Sequence, residues 1–410
     1  MSSGNLVSVI LVPETEYGVK DAPLSGVTAE TARFTSESLS GTPTTTQSAA
    51  IRTDRMSSGQ VVTGLEVGGT LEYELSAGTY FDQMFAAAMM SQFVAAATIS
   101  GTDVTLTPDG TDDQLATLTI TGDFTTISAD PGDVLQLVPA TGSTVTVTVI
   151  SVTSATELQV ATAAGEAAIT SVVMDVEVPS HLVIGADQQS YTFGKSYLDV
   201  QHLLTTDNHS QTYGGMLVNG FTLDATYGNI CTGAFETMGN SYELEAPSYE
   251  QQIVTAGGTV NPAETQQPIN SSIDIQLLTA DGEAATYCTE SFQLSFTNGL
   301  DPTNCIGSAA PEGYTLGTAS IEVNSNIYLS DSAYDLWMFN KLTQEPVALT
   351  FILNNSQGGW AFALAAVQLS FPDPSSGGQD TQTMIEGSGT GKVGANGESS
   401  LIIYKLKGDQ

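Results

Sequence analysis

Positive charge is the scarcest property of this sequence. Its 410 residues carry nine Lys and Arg against 45 Asp and Glu, a formal net charge of −36. No Lys or Arg occurs between Arg55 and Lys195, nor between Lys195 and Lys341. Neutralising phosphates takes clustered basic side chains, so clamping a nucleic acid is excluded, whereas letting a polyanion slide past is not. Acidity also serves solubility or a high-salt habitat. Charged residues make up only 13% of the chain, well under the usual quarter, so its surfaces must be built largely from uncharged polar residues. Three cysteines, Cys231, Cys288 and Cys305, are too few and too odd in number for a disulfide framework. The three histidines, His181, His202 and His209, show no HxH, HxxxH or HExxH spacing. No GxSxG elbow is present. DGTDDQL at 109–115 lacks the order of a calcium loop, and GSGTGKVG at 387–394 lacks that of a phosphate loop. No catalytic residue, metal site or cofactor is therefore expected. Apolar runs stay below the roughly 18 residues of a membrane-spanning helix, and MSSGNLVSVILVPETEYG has neither the basic start nor the long apolar stretch of an export signal.

What is abundant is alternation. TYGGMLVNGFTLDATYGNICTGAFETMG at 212–239 switches between apolar and polar residues with one Asp, one Glu and no basic residue. With plentiful Thr, Val, Gly and Ser, this predicts a mainly β chain with short helices, in two or three domains. The chain also resembles itself. ELSAGTYFDQMF at 74–85 aligns without gaps to YLSDSAYDLWMF at 328–339. Each stretch follows an alternating segment and predicts a short helix whose apolar face packs on the strands: Tyr80, Phe81 and Phe85 in the first, Tyr334, Trp337 and Phe339 in the second. Thr79 is the expected N-cap of the first helix, and Ser332 with Asp335 resembles a capping box in the second. GGMLVNGFTLDA (214–225) aligns with GGWAFALAAVQL (358–369), and RFTSESL (33–39) with SFTNGL (295–300).

The halves differ by about a hundred residues. The surplus, 98–179, is punctuated by PDG, TGD, DPGD, ATGS and AAGE turns and holds eleven acids and no Lys or Arg. It reads as a small inserted β-domain. An insertion leaves and re-enters at a surface loop, so this one should face outward and be removable. The expected organisation is a first unit of 1–97 with 180–245, a linker at 246–270, and a second unit of 271–410 that includes a C-terminal extension. The polar stretch 41–62 reads as a loop; its Arg52 and Arg55 suit carboxylates of another subunit.

Several motifs together resemble the phage tail tube proteins: VPETEYGV (12–19), FTSESL (34–39), IRTDR (51–55), VGGTLEYELSAGTYFDQMFAAAM (67–89), YGGMLVNGFTLDATYGNICTGAFETMG (213–239), SFTNGLDP (295–302) and LSFPDP (369–374). The resemblance implies antiparallel sheets that form part of a ring-closed barrel, with short flanking helices. It also implies stacked rings through whose lumen DNA leaves, and tape-measure, tail-terminator and tail-tip proteins as partners, with no membrane. Assembly would take place in the host cytoplasm, the product lying in the virion tail. Duplication then predicts a trimeric, pseudo-sixfold ring, with a true hexamer second. Arg52 and Arg55 would lie between rings, around an acidic lumen. Two other readings remain: another virion component, such as a head–tail connector or capsid decoration protein, and an extracellular acidic adhesin.

Overall fold

The computed structural model describes residues 7–20, 24–49, 59–110, 114–162, 166–197, 209–270, 273–278, 284–286, 288–329, 338, 341, 343–373, 382–394 and 397–409. Strands β1 (Val7–Pro13), β2 (Thr28–Thr31) and β3 (Ser36–Glu37) precede the hairpin of β4 (Ser40–Gln47) and β5 (Gln60–Glu74), then helix α1 (Thr79–Met89). Six strands follow: β6 (Ala97–Pro108), β7 (Leu115–Ile120), β8 (Val134–Pro139), β9 (Val145–Ser154), β10 (Glu157–Ala161) and β11 (Ile169–Val178). Next come β12 (His181–Val183), β13 (Tyr191–Tyr197), β14 (Ser210–Thr226), β15 (Thr232–Gly239), β16 (Ser241–Glu245), α2 (Tyr249–Ala256) and β17 (Thr259–Asn261). The remainder comprises β18 (Ile273–Leu278), β19 (Ala284–Thr286), β20 (Thr289–Thr297), β21 (Asp301–Thr303), β22 (Gly313–Thr315), β23 (Ser320–Tyr328), β24 (Val347–Asn355), β25 (Gly358–Ser370), β26 (Met384–Lys392) and β27 (Ile402–Lys407).

Pairing builds one long sheet, in spatial order β4–β5–β15–β14–β20–β23–β26–β25, antiparallel throughout. Two outer sheets cover its apolar face. The first is β17–β2–β1–β13–β14–β16, in which only β17–β2 is parallel. The second is β19–β18–β24–β25–β27–β12. Strands β14 and β25 each begin in an outer sheet and end in the long one.

Both cross over by the same device. On β14 the register runs from Phe193↔Tyr213 to Tyr191↔Met216; on β25 it runs from Leu349↔Leu364 to Val347↔Val367. Each long strand thus gains one extra residue, a bulge that bends it and reassigns its faces. On β14 the bend needs Gly215, whose φ is +62° and where a Cβ would lie 2.5 Å from the Asn240 carboxamide. The buried Glu14 carboxylate pins this bend, accepting from the Gly215 N–H at 2.9 Å and the Thr192 hydroxyl at 2.7 Å.

Between the sheets lies α1. Tyr80, Phe81, Met84 and Phe85 are all fully buried. The Phe85 ring meets Phe221 (5.2 Å) and Phe235 (5.4 Å) of the long sheet, and Trp360 (4.9 Å) and Phe362 (5.8 Å) of the second outer sheet, so one side chain joins both halves. The expected cap is different: Gly78 occupies the N-cap, and Glu264 supplies the acceptor, taking the Tyr80 N–H and the Thr79 hydroxyl at 2.9 Å each. A carboxylate from 184 residues away satisfies an orphan donor that Thr79 itself leaves.

Residues 97–178 form a closed six-strand barrel, β6–β7–β10–β9–β8–β11. It sits on the outward face of the second outer sheet, where Ile352, Ala361, Ala363, Tyr404 and Leu406 join its apolar core. Polar contacts fix the seat. The Tyr404 hydroxyl donates to Asp133 (2.9 Å), Lys407 Nζ reaches the buried Glu177 (2.6 Å), and the Lys407 N–H donates to Gln136 (2.9 Å). Burial raises the Asp133 carboxyl above the usual carboxylate range. On the first outer sheet the corresponding face is covered by α2, which buries Tyr249 and Ile253 against Ile10, Val12 and Ala29.

Three expectations change. The stretch read as a linker, 246–270, holds α2 and β17 and is packed. Part of the polar stretch 41–62 is strand: β4 and β5 make a long hairpin arm whose outer residues, such as Val61 and Val62, are exposed. The match of 214–225 to 358–369 is out of register. Gly220 pairs with Glu236 and Ser370 with Ser388, while Glu74↔Thr232 corresponds to Tyr328↔Met384. Gly220 is therefore equivalent to Ser370, and the two Gly-Gly pairs are not equivalent to each other; the match of 33–39 to 295–300 is displaced in the same way, since Ser40↔Gly68 corresponds to Ser295↔Glu322 and makes Ser40, not Arg33, the counterpart of Ser295.

Candidate conduit face

One face of the long sheet is core; the other is polar across all eight strands. Strand alternation produces this directly. Leu71, Tyr73, Phe235, Phe221, Leu223, Phe292, Leu294, Phe296, Ile321, Val323 and Ile385 point one way and are buried. Their neighbours point the other way in cross-strand rows. One row runs Glu74–Thr232–Asp224–Gln293–Asn324–Ser388–Ser370. The next runs Glu72–Ala234–Thr222–Ser295–Glu322–Thr390–Gln368. Flanking rows add Thr70–Glu236–Gly220–Thr297–Ser320 and Thr226–Ser291–Asn326–Glu386.

Six carboxylates, Glu72, Glu74, Asp224, Glu236, Glu322 and Glu386, stand in these four rows, and no Lys, Arg or His does. Uncharged partners hold several of them in place. Ser36 donates to Glu72 (2.6 Å), Gln293 to Asp224 (2.7 Å) and Asn219 to Glu236 (3.3 Å). With amide and hydroxyl donors instead of cations, each carboxylate keeps its negative field. Five of the six described lysines are spent elsewhere; the sixth, Lys392, ends β26 exposed on this same face, one step of the alternation beyond Thr390 and opposite Ala366. Lys195 is buried with Glu37 (2.5 Å), Lys405 meets Asp82 on α1 (2.5 Å), Lys407 meets Glu177, and Lys20 and Lys341 pair with Glu245 and Asp373. Burial holds the Asp82 carboxyl above its ordinary value despite Lys405.

The sheet, closed on one side by core and open on the other to solvent, has the form of a wall segment. Its sequence matches the profile of the phage tail tube proteins over residues 4–393. The chain belongs to that family. No curated protein matches it. As a tail tube protein it is a structural component of the phage tail. No helix among its described residues is long and apolar enough to cross a membrane. No group of three or more His, Cys, Asp or Glu among them is placed to hold a metal.

Of the residues singled out from sequence, Tyr80, Phe81 and Phe85 lie in the core between α1 and the sheets. Arg52, Arg55, Tyr334, Trp337 and Phe339 lie outside the described residues, as does the Ser332–Asp335 box. Near them, Met338, Lys341 and Thr343 are helical. The individual wall carboxylates were not selected from sequence, although their signal was there: acids at every second position of apolar strands, as in LEYEL at 71–75.

Proposed function

We propose that this chain assembles into stacked rings whose bore is lined by the polar face of the long sheet, forming the passage through which phage DNA is ejected. One observation carries the reading: an eight-strand surface whose four central rows hold six carboxylates, against one cation, Lys392, at its margin. Such a wall repels phosphates over a Debye length of about 8 Å at physiological salt and offers them no basic cluster to bind. The barrel and α2 lie on the opposite side of the sandwich, where they would face outward.

Each chain is read as two equivalent units, 1–97 with 180–245 and 271–410, so three chains make a pseudo-sixfold ring. Three copies supply 24 wall strands, a closed barrel on the order of 40–50 Å across at the backbone. The β4–β5 arm would reach the next ring, and Arg52 and Arg55, which fall between its two strands in the sequence, would meet carboxylates there. Tape-measure, terminator and tip proteins would meet the ends of the stack in a virion assembled in the host cytoplasm. Electron micrographs of the purified chain, with native mass measurement of released rings, test this. Hollow tubes with three chains per ring are expected; a monomer at high concentration ends the reading, and six chains per ring ends its trimeric form.

A further inference from the structure

Lys405 and Asp82 lie 323 residues apart in the chain and 2.5 Å apart in space, Nζ against Oδ2. Along β27, Lys405 alternates with Tyr404 and Leu406, which face the barrel, so it points with Ile403 towards α1. Three features set the contact apart from an ordinary ion pair. The second Asp82 oxygen, Oδ1, is buried and accepts no hydrogen bond. Burial, with the fields of Glu264 and Glu30 behind it, pushes the Asp82 carboxyl towards its neutral form against the pull of Lys405. Glu264, whose Oε1 caps α1, keeps its own Oε2 buried and unbonded. Room for that oxygen is made by Gly78, where a Cβ would overlap it. The second copy of the helix motif has neither residue: in the gapless match of 74–85 to 328–339, Ser332 stands at Gly78 and Leu336 at Asp82. The helix motif as such therefore requires neither.

We infer that Lys405 and Asp82 condense to a side-chain amide, a self-made cross-link between β27 and α1, with Glu264 as the proton carrier. The carboxyl carbon lies at most one C–O bond, about 1.2 Å, beyond Oδ2, so Nζ is held close to attacking distance, about 3–3.5 Å. A proton first passes from Nζ to the carboxylate, leaving amine and acid neutral. The Nζ lone pair forms the N–C bond to the carboxyl carbon, and the C=O pair moves onto its oxygen. Glu264 takes the surplus proton from nitrogen and returns it to the Asp82 hydroxyl. The C=O reforms, the C–OH bond breaks, one water leaves, and Glu264 ends as it began. Fixing both groups on packed elements replaces a collision in solution with an effective concentration of about 10⁵ M or more, which favours condensation. The bond would tie the helix of the first half to the last strand of the second, so neither could unravel without the other.

Intact-mass measurement of the denatured full chain, corrected for N-terminal processing, tests this. The parent is expected one water, about 18 Da, below its sequence mass. Lys405→Arg, which preserves the charge opposite Asp82, is expected at its full sequence mass. After proteolysis of the parent, a branched peptide should join the segment holding Asp82 to the one holding Lys405. Glu264→Gln, which keeps an oxygen to cap α1, should slow the loss of water about a hundredfold or more. A parent chain still at full mass after prolonged incubation overturns the inference. So does a loss that persists in Lys405→Arg, since a succinimide elsewhere in the chain gives the same mass. An unchanged rate in Glu264→Gln overturns the role of Glu264 and leaves the bond standing.

Discussion

The two outer sheets make the clearest comparison in the molecule. Both are entered by a long strand that bends through one extra residue, and both back the same wall. The first is covered by an eight-residue helix, α2, that buries two side chains; the second is covered by a complete barrel. The wall is thus held constant while the outward layer is free to differ. That freedom has a condition, because the barrel is no loose pendant: its core runs into Ile352, Ala361, Ala363, Tyr404 and Leu406. What reads in sequence as an insertion is packed as a layer.

Removing the barrel sharpens this contrast most. Excision of 98–179 with a short linker uncovers that apolar seat and should produce aggregation, seen by light scattering, rather than tubes. Adding Ile352→Thr, Tyr404→Ser and Leu406→Thr, which make the seat polar, should restore solubility. A chain that polymerises normally after simple excision would show the barrel to be dispensable. Next in size is Phe85→Ala, which empties the point where the halves meet. It should cost about 3–5 kcal/mol in denaturant unfolding and lower the stability of both halves together. Phe124→Ala, inside the barrel, should cost a similar amount but leave the wall's transition unmoved. Gly215→Ala tests whether the β14 bend is as strict as its φ of +62° indicates. A loss above 1 kcal/mol is expected, against little change for Ala365→Gly near the β25 bend.

Charge comes after stability. Glu322→Lys with Glu386→Lys on the second half of the wall should make preformed tubes retain DNA at low salt and release it at high salt. Glu72→Lys with Asp224→Lys on the first half should do so equally if both halves line the bore. Smallest is the pH effect at the seat. Asp133 has a folded pKa above its unfolded one, so the folded chain binds the extra proton between the two values. Stability from this group is full below the ordinary carboxylate range and is lost as pH rises through the raised folded value. Asp133→Asn should flatten the dependence of thermal midpoint on pH in that interval.

Sequence patterning reached the wall and the helix because burial writes itself into periodicity. YFDQMF places aromatic residues on one helical face, and 212–239 alternates. Turn residues likewise marked several short strands in 98–179, but missed the tight β9–β10 turn at Ala155–Thr156, which has no Gly or Pro. The β4–β5 arm escaped because both its faces are polar, so GTPTTTQ has no burial to report. Helix α2 escaped because two anchors, Tyr249 and Ile253, are too few to show a period. The displaced match of 214–225 to 358–369 has a different cause. Strand sequences resemble one another at any even shift, and only backbone pairing, through Glu74↔Thr232 and Tyr328↔Met384, fixes which shift is real. Glu264 capping α1 is a contact between distant segments that no local motif encodes.

Strand β27 closes the second outer sheet from one side and seats the barrel from the other, with Ile403 in the wall's core and Leu406 in the barrel's. It also follows every other strand in the sequence. During synthesis the barrel can close on itself long before residues 402–407 leave the ribosome, yet its seat on Ile352, Ala361 and Ala363 stays incomplete until Tyr404 and Leu406 join it. A nascent chain interrupted before that point carries a folded barrel without its full seat and an unfinished outer layer.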